Sequence, residues 1–234
     1  MLKNELTIAA KCAPSKELLT IIKDSGIKAV ELYLDAEMMK EPLGIIKLCD
    51  LFPLRYAIHS PNDGYDPRDM EKLANDLDAG VVVAHNTLWE DEWQKAAEVF
   101  KGSDVKLCIE NTVSAHEPLK FMRRYGFGMC LDLEHIQMEC CGVYEQAVLN
   151  IMKMANHIHM TGYTHGSHLW HTPAHHAPLH NKYLLDLLDS TGYNGLVVSE
   201  ADTRYQTAEE FANLARFFAE WQSDRDARRE QSSQ

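Results

Sequence analysis

Long apolar runs are missing from this sequence. The longest are strand-sized, such as the stretch around Val81–Val83, and none approaches the roughly 18 residues a membrane-spanning helix needs. Residues Met1–Lys11 lack the long apolar region and cleavage site of a secretory signal, so a cytoplasmic protein with no membrane partner is expected. Basic runs are missing too: none exceeds a pair of arginines, and the net charge is −12. Phosphate binding draws its affinity from clustered Lys and Arg, so this balance argues against a nucleic-acid partner. The six cysteines, at 12, 49, 108, 130, 140 and 141, show no paired zinc spacing. A chain of this length needs no disulfide staples, and most of these residues read as buried thiols. No glycine-rich phosphate loop follows the first candidate strand, which argues against an open dinucleotide-binding sheet. Nor is there an internal linker, a repeat or a second domain.

What is present is an alternation. Strand-like stretches fall at Leu6–Cys12, Ala29–Leu34, Arg55–Ser60, Val81–Asn86, Lys106–Thr112, Gly128–His135, His157–Tyr163 and Gly195–Asp202. Helical patterns separate them at Ser15–Ser25, Pro42–Asp50, Pro67–Ala79, Asp91–Lys101, Glu117–Tyr125, Tyr144–Ala155, Leu179–Ser190 and Thr207–Trp221. Several open on helix-start signals such as Pro14-Ser15, and several close on glycine, as at Gly26, Gly80 and Gly192. Strand–helix alternation implies parallel pairing through crossovers. With 234 residues, close to the roughly 250 typical of the fold, the expectation is a single-domain α/β protein, a (β/α)8 TIM barrel over residues 1–222. The polar stretch 223–234 is expected to be a frayed tail.

In such a barrel the chemistry sits at the carboxyl ends of the strands. Those ends carry His59 in "AIHSPND", His85 in "VVVAHNT", Glu110 in "LCIENT", Asp132 and His135 in "CLDLEH", His159 in "HIHMTGY" and Glu200 in "VVSEAD". One such carboxylate would ordinarily be a salt bridge or a helix cap. Six consecutive strands agreeing on position is a stronger pattern. Residues two apart share a strand face, and the positions two before these groups are Ala57, Val83, Cys108, Cys130, His157 and Val198. All but His157 are small and apolar, as a barrel interior beneath a site requires, and His157 reads as a core histidine rather than a ligand. Ile58, Ala84, Ile109, Leu131, Ile158 and Ser199 should face the helices. Converging carboxylates repel one another unless they take up protons or a cation. The donor set suits a divalent metal, with Mn²⁺ or Mg²⁺ favoured by the carboxylates and Zn²⁺ by neighbouring histidines.

Taken in order, "VELYL", "IHSP", "IENT", "LDLEH", "HIHMTG" and "SEAD" make the chain resemble the xylose-isomerase-like barrel superfamily. That group includes sugar isomerases and epimerases, inosose-type isomerases and dehydratases, and the apurinic endonucleases. In its isomerase and epimerase branch the resemblance implies one metal held by Glu110, Asp132, His159 and Glu200. It also implies acid–base catalysis by Glu110 and Glu200 and a substrate-contacting His135. In the endonuclease branch it implies further zinc ligands at His59, His85 and His135. That branch also uses an Asp-x-His pair, which falls here on Ala174 and His176, so the aspartate is absent and only His171 or His175 stands near to replace it.

The histidine-rich stretch 164–177 reads as a lid, a second metal site or a solvated loop, with the lid favoured. The leading expectation is a metal-dependent isomerase or epimerase of a sugar, ketose or polyol-derived ketone, moving a proton between glutamates through a metal-stabilised enediolate. A metal-dependent hydrolase or phosphodiesterase with two or three zinc ions is the rival. A non-catalytic metal- or ligand-binding barrel is the third reading, since fold alone does not separate them. The partner expected is a carbohydrate-like small molecule, with room left for a homo-oligomer.

Overall fold

Eight short β-branched and aliphatic stretches, each followed by turn residues and a helix-start signal, give eight strands. A computed structural model describes residues 5–141 and 146–232 of the chain. The strands are β1 (Thr7–Cys12), β2 (Ala29–Tyr33), β3 (Arg55–His59), β4 (Val81–Ala84), β5 (Lys106–Glu110), β6 (Gly128–Asp132), β7 (His157–Met160) and β8 (Leu196–Ser199). They pair in parallel in sequence order, and β8 closes on β1 through Thr7↔Leu196 to Ala10↔Ser199. The helices are α1 (Lys16–Asp24), α2 (Pro42–Cys49), α3 (Pro67–Asp76), α4 (Glu90–Phe100), α5 (Glu117–Tyr125), α6 (Leu133–Glu139), α7 (Gln146–Met152), α8 (Pro178–Ser190) and α9 (Ala208–Ser232). The molecule is a single-domain (β/α)8 TIM barrel. Among the described residues no helix is long and apolar enough to cross a membrane.

Strand parity divides the core in two. Inside the barrel Ala9, Ala29, Ala57, Leu196 and Val198 form one cluster, and Val83, Cys108 and Cys130 form another. Outside it Ile58, Ala84, Ile109, Leu131 and Ile158 pack beneath the helices with Leu19, Ile22, Met70, Leu184 and Trp221. The alternation expected from the sequence therefore holds on both faces. Gly128, at the start of β6, has a steric reason: a Cβ there would come within 2.6 Å of Cys108 Sγ and 2.7 Å of Asn156 Oδ1.

Two expectations are corrected, and a third falls partly outside the described residues. The sixth strand stops at Asp132 rather than His135, because Asp132 Oδ1 accepts from the backbone N–H groups of Glu134 (2.7 Å) and His135 (3.0 Å) and so starts α6. The helical pattern Tyr144–Ala155 becomes α7, whose described part begins at Gln146; residues 144 and 145 lie outside the described residues. The stretch expected to fray continues α9 to Ser232. Ion pairs to α8 account for this, since Arg228 Nη2 lies 2.6 Å from Asp186 and Arg229 Nη2 2.8 Å from Asp189, while the buried Arg225 lies over the Trp221 ring.

Candidate metal centre

Because strand parity alternates, the residue that ends each strand facing inward is lifted clear of the small apolar layer into the barrel mouth. That rule places His59, Glu110, Asp132 and His159, with Glu200 just past the end of β8, and all but Glu200 are buried. Glu110, Asp132, His159 and Glu200 offer ligand atoms that all lie within 4.8 Å of one another. His159 is the hub. Its Nδ1 is 2.8 Å from Glu200 Oε2 and 3.4 Å from Glu110 Oε2.

Each outer ligand is held by its far side. Asp132 Oδ1 is occupied by the α6 amides, and Asn111 ties the Asp132 backbone in place, its Oδ1 accepting from Asp132 N at 2.7 Å and its Nδ2 donating to Asp132 O at 3.1 Å. Glu200 Oε1 accepts from the Lys11 ammonium at 2.6 Å. What remains inside is a set of buried atoms with no hydrogen-bond partner: Asp132 Oδ2, Glu200 Oε2 and His159 Nδ1. Buried polar atoms are rarely left so, because each forfeits its hydration without recompense. Three of them meeting at the mouth is the pattern of a cation site. The donors, three carboxylates and one imidazole, fit a divalent metal.

Electrostatics agree. Burial pushes the Asp132 carboxyl up to about 8, with Glu200 and Glu110 adding to the rise and His135 opposing it. Burial works against ionisation of Glu110 and Glu200 as well, yet both stay well below the usual carboxylate range, Glu110 through His159 and Glu200 through Lys11. His159 is raised despite its burial by Cys130, Glu31, Glu200 and Glu110 around it. Without a cation, then, the pocket keeps protons on Asp132 and His159 to offset its own negative charge. A metal would displace both.

The remaining histidines separate. His59 Nε2 and His85 Nε2 approach the same Glu110 oxygen at 3.2 and 3.3 Å, and His85 is steadied by Asn62 Oδ1 at 2.8 Å. His135 stands at the rim on α6, where its Nδ1 pairs with Asn111 O at 2.6 Å and lies 3.7 Å from Asp132 Oδ2. His176 does not join this group. It follows β7 at Ala174–His176, where its Nε2 bonds Glu210 Oε2 at 3.0 Å, beside His175.

Two residues of the mouth escaped the sequence reading. Glu31 on β2 is fully buried, and its Oε2 lies 2.7 Å from His157 Nε2 and 3.1 Å from His159 Nε2. Lys11 on β1 reaches Glu31 Oε1 at 3.2 Å as well as Glu200. Glu31 thereby fixes the ring of His159: with Nε2–H donated to the carboxylate, Nδ1 is left to face the cluster. It also gives the Nε2–H of His157 an acceptor, while burial holds that ring below its ordinary pKa and leaves its Nδ1 without a hydrogen-bond partner. The signal for both residues was a charge in mid-strand among apolar neighbours.

The loop after β7 is tied to itself and to α6. Gly162 donates to Thr172 O at 2.8 Å, and a Cβ on Gly162 would lie 2.7 Å from Thr172 Oγ1. Glu134, buried on α6, takes the Thr161 hydroxyl and the His171 N–H.

No family model and no curated protein sequence matches the chain. Solved structures do. The TTHB071 protein of Thermus thermophilus, soaked with ZnCl₂, is 16% identical with a TM-score of 0.65, covering 92% of this chain and 99% of that one. The 3-keto-D-glucoside 4-epimerase of E. coli is 11% identical with a TM-score of 0.61, covering 92% and 100%. The D-allulose 3-epimerase of a Methylomonas species is 13% identical with a TM-score of 0.59, covering 92% and 97%. These likenesses are ones of fold. They place the chain's architecture among the (β/α)8 barrels.

Proposed function

We propose that the protein is a metal-dependent isomerase or epimerase of a small sugar or a related ketone. The observation that carries this is the convergence of Glu110 and Glu200, from strands three apart in the closed ring, on His159 Nδ1. A divalent ion held by Glu110, Asp132, His159 and Glu200 would supply Lewis acidity, drawing charge from a substrate's carbonyl and neighbouring hydroxyl and so acidifying the adjacent C–H.

The protein's own part is proton transfer and placement. One of the pair, as a carboxylate, would remove a proton from the carbon beside the carbonyl. The other, carrying a proton as the carboxylic acid, would deliver its own to carbon, exchange with solvent then resetting both. In the metal-free pocket His159 holds Glu110 and Lys11 holds Glu200 below the usual carboxylate range, and a bound cation would take over from His159 at Glu110. His59, His85 and His135 stand around the same opening, where they would hold substrate hydroxyls. Two distant neighbours are named as epimerases of a keto-glucoside and of allulose, which supports a carbohydrate-like substrate.

With a turned-over ketose in D₂O, deuterium should enter the carbon next to the carbonyl. Glu200→Gln should slow that exchange by at least about a hundredfold, the lower end for one acid–base group, while retaining more metal than Asp132→Ala. Metal-dependent cleavage of phosphodiesters, with no exchange across a broad panel of ketoses, would overturn the reading.

One observation favours the second reading, a multinuclear zinc hydrolase. His59, His85 and Glu110 form a further group whose ligand atoms lie within 4.8 Å of one another. Against it, Ala174 stands where that chemistry uses an aspartate, and His176 is directed to Glu210. Two or three zinc equivalents at the mouth would favour the hydrolase.

A further inference from the structure

Away from the mouth, one cluster of metal-capable side chains is left unused by the proposed reaction. It joins the turn Ala174–His176, which follows the β7 loop, to the first turn of α9. His175 Nε2 lies 2.8 Å from Glu210 Oε2 and His176 Nε2 lies 3.0 Å from the same oxygen. The His176 contact is a hydrogen bond. The His175 contact is not: both nitrogens of the His175 ring are buried without a hydrogen-bond partner. A neutral imidazole always carries one N–H and one lone pair, so this ring leaves a buried polar group unsatisfied although a carboxylate oxygen lies beside it.

We propose that His175, His176 and Glu210 form a second, independent metal site, selective for Zn²⁺, that pins the loop after β7 to α9. Two imidazoles and one carboxylate are a recognised zinc donor set that leaves a fourth position for water. Zinc bonds of about 2.0–2.2 Å hold ligand atoms in a tetrahedron about 3.3–3.5 Å apart, so the observed contacts need open by only about half an ångström. The ligands come from segments 34 residues apart, brought together by the fold rather than by a local turn. Burial and the neighbouring His176 lower the pKa of His175 against the opposing pull of Glu210. Arg216, the cation that adds to this effect, is itself directed to Asn213 Oδ1 at 3.0 Å.

The two sites differ in character. Three carboxylates and one imidazole at the mouth suit a hard cation, while two imidazoles and one carboxylate at the rim suit a borderline one. The site does not depend on the reaction at the mouth, so it can be tested whatever the mouth does.

Zinc stoichiometry by equilibrium dialysis on the full chain is the test, comparing the parent with Glu210→Gln and His176→Ala. Each variant should bind one equivalent less than the parent, and zinc should raise its unfolding midpoint less than it raises the parent's. The Co²⁺-loaded parent should show visible ligand-field absorption that is partly lost in both variants. Unchanged zinc stoichiometry in both folded variants would show that the cluster is only a hydrogen-bonded triad and overturn the proposal. Loss of the mouth's metal in the same variants would also overturn it, because the sites would then not be independent. If His176→Ala fails to fold, Glu210→Gln decides alone, since its shape is preserved.

Discussion

The two faces of the barrel wall are made from the same short strands yet obey opposite rules. Facing the helices, β3 to β7 present Ile58, Ala84, Ile109, Leu131 and Ile158, each buried among aliphatic neighbours. Facing inward, the same strands present small residues and then, at their ends, carboxylates and imidazoles. The outer face buries apolar area, and those five side chains carry no polar atom to satisfy. The inner face ends in Asp132 Oδ2, Glu200 Oε2 and His159 Nδ1, buried and unpartnered. A sequence of alternating residues thus separates stability from chemistry across the thickness of one strand. Substitutions one position apart should have different consequences.

The largest effect is expected inside. Asp132→Ala removes a proposed ligand and should abolish tight metal binding, a loss of at least about a hundredfold given that outer-shell changes alone cost about 10–100-fold. Its stability should fall by no more than the lost cap of α6, about 0.5–2 kcal/mol, because the variant also removes a buried carboxylate. Full metal stoichiometry in isothermal titration would sink the assignment. One position earlier, Leu131→Ala should do the reverse. A buried aliphatic truncated on the outer face costs about 2–5 kcal/mol, read as a lower urea midpoint, while the folded fraction keeps its metal. If Leu131→Ala lost metal and not stability, the division between faces would fail.

How far the sequence reaches follows from the same contrast. Strand ends were legible because a period of two, repeated on successive strands, places His59, Glu110, Asp132 and His159 on one face without knowledge of the fold's details. Lys11 and Glu31 were not, because they lie on β1 and β2, whose ends carry no ligand, and a charge inside a strand acquires meaning only when its partners are known. Those partners are 189 residues away for Lys11 and Glu200 and 126 for Glu31 and His157. The same non-locality hid Glu210 from His176. Asp132 misled in a different way: read as the interior of a strand, it is also the cap of a helix, and only the backbone N–H groups of Glu134 and His135 distinguish the two. The helical continuation at 223–232 depended on Asp186 and Asp189, on the neighbouring helix, which no local pattern reveals.

The smallest effect should come from Glu31, which stands behind the proposed ligand His159 and orients its ring. Its Oε2 accepts from the Nε2 atoms of both His157 and His159, and its Oε1 faces the Lys11 ammonium. Glu31→Gln keeps the volume and removes this symmetry. An amide has one acceptor and one donor end, so turning its oxygen to the histidines points its NH₂ at Lys11, and turning it to Lys11 points its NH₂ at two imidazole N–H groups. Either way one neighbour loses its partner, and His159 is free to move its proton to Nδ1, the nitrogen the metal needs. Metal affinity should therefore fall by about 10–100-fold, the usual range for the partner behind a ligating histidine, with stoichiometry unchanged. The ¹⁵N shifts of His159 in the metal-free protein, taken at a pH high enough for its raised imidazole to be neutral, report the tautomer directly, and Nε2–H should lose population in the variant. A variant that folds, keeps Nε2–H and binds metal as tightly as the parent would show that Glu31 serves packing and charge balance alone. The inner face would then be specified by its ligands without a supporting layer.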